Sequence, residues 1–197
     1  MTMGEMASCI QHIPMTGDGP LTDKDLNLNE PTATATGILY IRKKGAYIED
    51  NPQLRKPKPR PRPEGYYLPI DSYIKLSRLL DMNESDLERR LKNGDHRVRF
   101  VPFGYKTGEM SPTELANNEF MIALAGKKGA EKLAKAVERY NADFRSFNCD
   151  LIDDMYVPPE PVFASIRMKK FKGKMIMNIS DGEHYDREQH GYRVWCG

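Results

Sequence analysis

Cysteine is scarce in this 197-residue chain: Cys9, Cys149 and Cys196 are an odd number at wide spacing. That excludes the dense, paired pattern of a disulfide framework and fits a reducing compartment. Long apolar runs are absent as well. No window approaches the roughly 20 apolar residues of a membrane-spanning helix. The first residues, broken by His12, Pro14 and Gly17, lack the basic-then-apolar order of a signal peptide. The expected setting is intracellular, with no membrane partner. The chain also has no phosphate loop of the Walker type, no nucleophile elbow and no His-Glu-x-x-His helix. Those absences remove the best-marked enzyme classes, so the expectation is a non-enzyme without a cofactor. Apolar residues make up only 39% of the chain and charged residues 29%, which leaves room for one ordinary domain with arms or loops.

What the sequence does have is an uneven distribution of charge. The net charge of +2 is nearly neutral. Residues 1–36, however, carry Glu5, Asp18, Asp23, Asp25 and Glu30 against Lys24 alone. Residues 37–62 carry Arg42, Lys43, Lys44, Arg55, Lys56, Lys58, Arg60 and Arg62 against Glu49 and Asp50. A step of that size points to a polyanionic partner, or to one segment docking on the other. The sharpest part is "RKPKPRPRP", Arg55 to Pro63. Each proline fixes φ and lacks an N–H, so the stretch reads as extended polyproline-II chain. It is either a stiff spacer or a cationic arm. A spacer has no need of five bases among nine residues.

Periodicity organises the rest. Residues 1–36 show no period and read as an irregular acidic arm. "GILYIRKKGAYIED" reads as a β-hairpin over 37–50, with Gly45 supplying a positive φ. A basic Pro-rich linker over 51–65 precedes an α+β core domain over 66–197. In that core, Asp71 caps a helix carrying Tyr73, Leu76, Leu79 and Leu80, and Asn83 caps a second with Leu87 and Leu91, stopped by Gly94. "HRVRFVPFG" is a strand with Val98 and Phe100 on one face. Ser111, Pro112 and Glu114 start a helix running to about Ala125. The next helix carries Leu133, Val137, Tyr140 and Phe144 on one stripe. Val162, Ala164, Ile166 and Met168 alternate, "KKFKGK" turns the chain, and Met175, Met177 and Ile179 alternate on the return. Tyr192 to Cys196 reads as a third strand there. Strands do not alternate with helices, so the class is α+β: antiparallel hairpins with about four helices in the middle of the chain and an irregular N-terminal arm.

Two stretches carry candidate chemistry besides the arm at Arg55, Lys56, Lys58, Arg60 and Arg62. "YIKLSRLLDMNESDLERRLKNG", Tyr73 to Gly94, resembles a helix-turn-helix, with Ser77 where the helices would cross and Leu80, Met82 and Leu87 around the turn. The resemblance implies DNA contacts from Ser85, Arg89 and Lys92. Asp81 stands in place of the turn glycine, and Glu84 and Asp86 open the second helix where acids repel phosphate. The other stretch is the basic hairpin with Arg167, Lys169, Lys170, Lys172 and Lys174 around Phe171. Lysines there can follow phosphates while Phe171 stacks on a base; lysines also guard exposed strands from edge pairing. His184, His190 and Cys196 recur at six-residue steps, which match none of the short ligand spacings of zinc sites. The expected function is non-enzymatic nucleic-acid binding, of duplex DNA, by basic arms around a helical pair. The alternative is a protein-interaction role: a viral or accessory structural component, or an inhibitor of a partner enzyme. A metal-dependent enzyme is the remote third.

Overall fold

The computed structural model describes residues 1–12, 22–23, 26–27, 32–55, 80–146, 161–171, 174–180 and 193–194. In chain order these form α1 (Met3–Ile10), β1 (Thr22–Asp23), β2 (Leu26–Asn27), β3 (Thr32–Ile41), β4 (Gly45–Asp50), α2 (Glu84–Lys92) and β5 (Val98–Pro102). Then follow β6 (Gly108–Met110), α3 (Pro112–Asn117), α4 (Glu119–Ala125), α5 (Lys127–Arg139), β7 (Ala142–Ser146), β8 (Val162–Phe171), β9 (Lys174–Ser180) and β10 (Arg193–Val194). The fold is α+β. Among the described residues, eight strands join in one sheet in the order β5-β4-β3-β8-β9-β7-β6, with β10 beside β3. β7 runs parallel to β9 and β10 parallel to β3; the other neighbours are antiparallel. β1 and β2 pair only with each other.

Alternation along the strands separates two cores. Ile38 and Tyr40 of β3, Ala46 and Ile48 of β4, Val162 to Met168 at even positions of β8, and Met177 and Ile179 of β9 face α1, α3, α4 and α5. The opposite face holds Leu39, Tyr47, Val98, Leu80, Met82 and Leu87, with Ile41, Leu91, Phe100 and Phe163 packed against them. Gly45 is needed where β4 meets β5. Its φ is +154°, and a Cβ there would lie 2.2 Å from the Val101 carbonyl oxygen. The tip of the β3–β4 turn itself places Lys43 in the left-handed region at φ 58°.

The expectation that residues 1–36 contribute no helix and no core fails at both ends of that stretch. Thr2 and Glu5 form a reciprocal capping box at the start of α1. Met3, Met6, Ala7 and Ile10 then fall on one helical stripe and are fully buried. Further on, Thr32 to Thr36 belong to β3, where β-branched threonine suits a pleated surface. The buried hydroxyls are bonded: Thr34 donates to the Ala164 carbonyl at 2.8 Å and Thr36 to Asp50 at 2.8 Å. Short polar surroundings masked both signals.

Three helical boundaries also differ from the sequence expectation. The helix begun by Ser111 breaks at Asn118, whose extended backbone (ψ 125°) ends α3 and caps α4. Its side chain accepts from Met121 N and donates to the Lys106 carbonyl, so one buried amide caps α4 and ties it to the segment before β6. The α5 stripe stops at Tyr140; Asn141 at φ 47° turns the chain, and Phe144 lies in β7. Leu80, expected on a helix, is extended and bridged to Leu54, while Tyr73 to Leu79 lie outside the described residues. Gly94, by contrast, ends α2 with φ +78° as expected.

α1 packs tightly on α4 and α5. A Cβ on Gly4 would meet the Ala125 carbonyl oxygen at 2.8 Å, a backbone atom that cannot swing away. Gly4→Val is therefore expected to lower stability by about 1–3 kcal/mol, measured as a shift in the urea midpoint. A second expectation concerns acid. Lys106 bonds Glu114 at 2.6 Å, and the backbone and hydroxyl of Ser111 add to it, pulling the Glu114 carboxyl down to about 2 from 4.5. A depressed folded-state value means that this stabilisation is complete above pH 4.5 and is lost as pH falls toward 2. In Lys106→Ala, NMR titration should find the Glu114 midpoint moved up toward 4.5.

Candidate nucleic-acid interface

α2 supplies the first group of candidate residues. Asn83 accepts the Asp86 N–H at 3.0 Å, and acids in the first turn and bases in the last suit the helix dipole. Leu87 is buried in the second core and Leu91 packs against it. Arg90 lies along the same side. It bonds Glu49 at 2.6 Å and Asp95 at 2.9 Å, and Asp95 bonds Arg97 at 3.1 Å. Those bonds, from Arg97 first, hold the Asp95 carboxyl well below the usual carboxylate range. At the other end of α2, Glu84 binds Lys44 at 2.7 Å and raises that ammonium's pKa. Lys44 also stands over the rings of Tyr47 and Phe100.

The outward side of α2 has Ser85, Arg89 and Lys92 as expected, bordering with Glu88 and Asn93 a shallow depression of about 300 Å³. Arg89 and Lys92 are 65% and 73% exposed, but each is bonded to an acid of the same helix, Arg89 to Asp86 and Lys92 to Glu88 at 3.2 Å. The depression is therefore of mixed charge.

The basic Pro-rich stretch has a defined root. Leu54 bridges Leu80, the Asp81 N–H donates to the Gln53 carbonyl at 2.8 Å, and Arg55 pairs with Asp81 at 3.0 Å. The chain leaves at Arg55 and is back at Leu80, beside its point of departure. The root lies flat on the second face of the sheet: Pro52 and Met82 occupy the space that a Cβ on Gly37 would take, at 3.2 and 2.5 Å. Lys56, Lys58, Arg60 and Arg62 lie outside the described residues.

The basic hairpin is β8–β9. Its strands pair as far as Phe171 and Lys174, so Lys169, Lys170 and Phe171 are strand positions rather than parts of a turn; Lys172 lies outside the described residues. Register divides the cationic positions. Phe163 packs on the second core while Val162, Ala164, Ile166 and Met168 enter the main one. Positions 167 and 169 thus fall on the face of Phe163, paired with Asn178 and Ile176, and Lys174 follows across from Phe171. Lys170 pairs with Met175 and falls on the side of the helices. Beyond β9, Asp143 stands next to Ile176 and Arg145 next to Asn178, and Glu109 next to Arg145. Sequence reading missed Asp143, Arg145 and Glu109. Only long-range pairing brings them to this surface, and no local spacing marks it.

Among the described residues no group of three or more histidine, cysteine, aspartate or glutamate side chains could hold a metal. His184, His190 and Cys196 lie outside those residues. Among the described residues, too, no helix is long and apolar enough to cross a membrane.

Adjacent arginines of α2 have opposite expected roles. Glu49 is only 2% exposed, and its second oxygen is buried with no hydrogen-bond partner, so its charge depends on Arg90. Arg90→Met should cost about 3–5 kcal/mol. Arg89→Met, on the outer face, should cost under about 0.5 kcal/mol. Equal losses in denaturant titrations would show that the buried pair does not hold α2 in place. Comparison of the chain with protein-family models, with curated proteins and with solved structures gives no match, so the functional reading rests on its own residues and geometry.

Proposed function

We propose that this protein is a non-enzymatic nucleic-acid-binding protein and that the phosphates meet the sheet face opposite α1, α3, α4 and α5. One observation carries the reading. The root of the basic stretch, Pro52 to Arg55 with Leu80 to Met82, lies on the same face as the strand positions of Arg167, Lys169 and Lys174. Two cationic elements far apart in sequence thus lie on one face of the sheet. In this reading α2 holds the root against the sheet, through Leu87 and the Arg90–Glu49 pair. Its outer cations are paired with Asp86 and Glu88, as Arg55 is with Asp81, so in this reading phosphate binding falls to the sheet positions and to Lys56, Lys58, Arg60 and Arg62. The protein-partner alternative is an outcome of the test below.

The test keeps the prolines and changes the charges. Arg55, Lys56, Lys58, Arg60 and Arg62 are replaced with serine together. If they contact phosphates, the slope of log K against log salt should fall by up to about 4, at roughly 0.7–0.9 per phosphate. Thermal stability should change little, since exposed substitutions away from the core are near neutral. An unchanged slope would remove the basic stretch from the interface. If the unaltered protein retains no nucleic acid even at low salt, a protein partner becomes the better account.

A further inference from the structure

We infer that Asp81 and Glu84 form an autoinhibitory contact that withholds Arg55 and Lys44 from phosphate; the inference rests on the reading above. Residues 81–88 carry four acids and no base. Each of the four is ion-paired: Asp81 with Arg55 at 3.0 Å, Glu84 with Lys44 at 2.7 Å, Asp86 with Arg89, and Glu88 with Lys92 at 3.2 Å. The last two acids hold cations of their own helix. Asp81 and Glu84 reach elsewhere, to the root of the basic stretch and to the turn between β3 and β4.

Both carboxylates are fixed from behind. Asp81 stands between Leu80 and Met82, which are buried in the second core, and its N–H donates to the Gln53 carbonyl at 2.8 Å. Glu84 opens α2 directly after the Asn83 cap. The two acids therefore stay beside these cations, as anionic oxygens that compete with those of a phosphate for the same donors. The cations themselves are presented to solvent. The Arg55 side chain is 58% exposed and that of Lys44 39%. Lys44 also stands over the rings of Tyr47 and Phe100, which belong to the second face of the sheet.

The two pairs have little to do with folding. Ion pairs this exposed contribute little stability, and the Leu54–Leu80 bridge, the Gln53–Asp81 bond and the second core already set the root in place. What the carboxylates do change is the charge offered at the start of the basic stretch. The attraction between cations and a phosphate backbone is independent of sequence and grows with each contact. Asp81 and Glu84 remove two contacts from it.

The experiment follows the full chain by fluorescence anisotropy across a salt series, with a labelled DNA duplex and with an oligothymidylate of equal length. Asp81→Asn with Glu84→Gln should tighten binding about fivefold or more at low salt. It should also steepen log K against log salt by about 1.4–1.8, at roughly 0.7–0.9 per phosphate. Removing a pair whole, as Arg55→Ser with Asp81→Asn or Lys44→Met with Glu84→Gln, should leave affinity and slope as in the unaltered protein. Glu138→Gln, at an exposed position of α5 on the helical side of the sheet, makes the same charge change as Asp81→Asn and should alter neither. An unchanged slope after both acids are neutralised overturns the inference and leaves the nucleic-acid reading standing. So does an equal gain in Glu138→Gln and Asp81→Asn, which would mark a general effect of charge. So does a slope reduced by removal of a whole pair, since that cation would already be touching phosphate. No binding of either probe by the unaltered protein or any variant at low salt overturns the reading itself. Circular dichroism checks each variant for folding, and if Glu84→Gln does not fold, Asp81→Asn with and without Arg55→Ser decides.

Discussion

Everything else in this molecule is arranged around the burial of β3 on both faces. Ile38 and Tyr40 enter the main core, Leu39 and Ile41 the second, and the strand has neighbours on both edges. Thr36, in its polar half, is a junction as well. It is fully buried, its oxygen accepts the Met3 N–H at 2.9 Å, and its hydroxyl donates to Asp50, which Arg99 of β5 holds at 2.6 Å. One hydroxyl thereby ties the first turn of α1 to three strands. A buried polar group without partners costs on the order of 1–3 kcal/mol, so the four groups specify one another's positions.

How much of this was legible in the sequence depended on whether the deciding contact was local. The β3–β4 and β8–β9 hairpins, α2 with its Asn83 cap, β5, and the Ser111 start of α3 all follow from signals within a few residues. What could not be read depends on distant partners. Thr32 to Thr36 become a strand because β8 and β10 pair there. Asn118 breaks a helix because the Lys106 carbonyl takes its amide. Phe144 leaves its helical spacing because β9 offers β7 an edge. α1 is the exception, since its capping box and its Met3-Met6-Ala7-Ile10 stripe were both in plain view, diluted by the polar residues that follow.

The candidate site divides in the same way. Charge density at Arg55 to Arg62 and around Phe171 is visible from composition alone. Which charges are already matched is not. Arg89 and Lys92 looked available by spacing, yet Asp86 and Glu88 hold them. Lys169 and Lys170 look equivalent as neighbours, yet the pleat sends their positions to opposite faces of the sheet. Sequence counts charge; only register assigns it to a surface.

The closure of the basic stretch at its root separates binding from folding. The bridge between Leu54 and Leu80, the Gln53–Asp81 hydrogen bond and the Arg55–Asp81 pair fix both ends before any residue between them is considered. The entropy of closing a loop grows slowly with length, about 0.6 kcal/mol per doubling. Added length between these clamped ends would therefore carry little further closure entropy. The cores that carry stability lie below the root: Gly37 leaves room for Pro52 and Met82 on the sheet, and Leu80, Met82 and Leu87 seal the contact. The root and the second core are thereby one packed unit, in which the Arg55–Asp81 pair and the Leu54–Leu80 bridge close the chain beside Gly37 of the sheet.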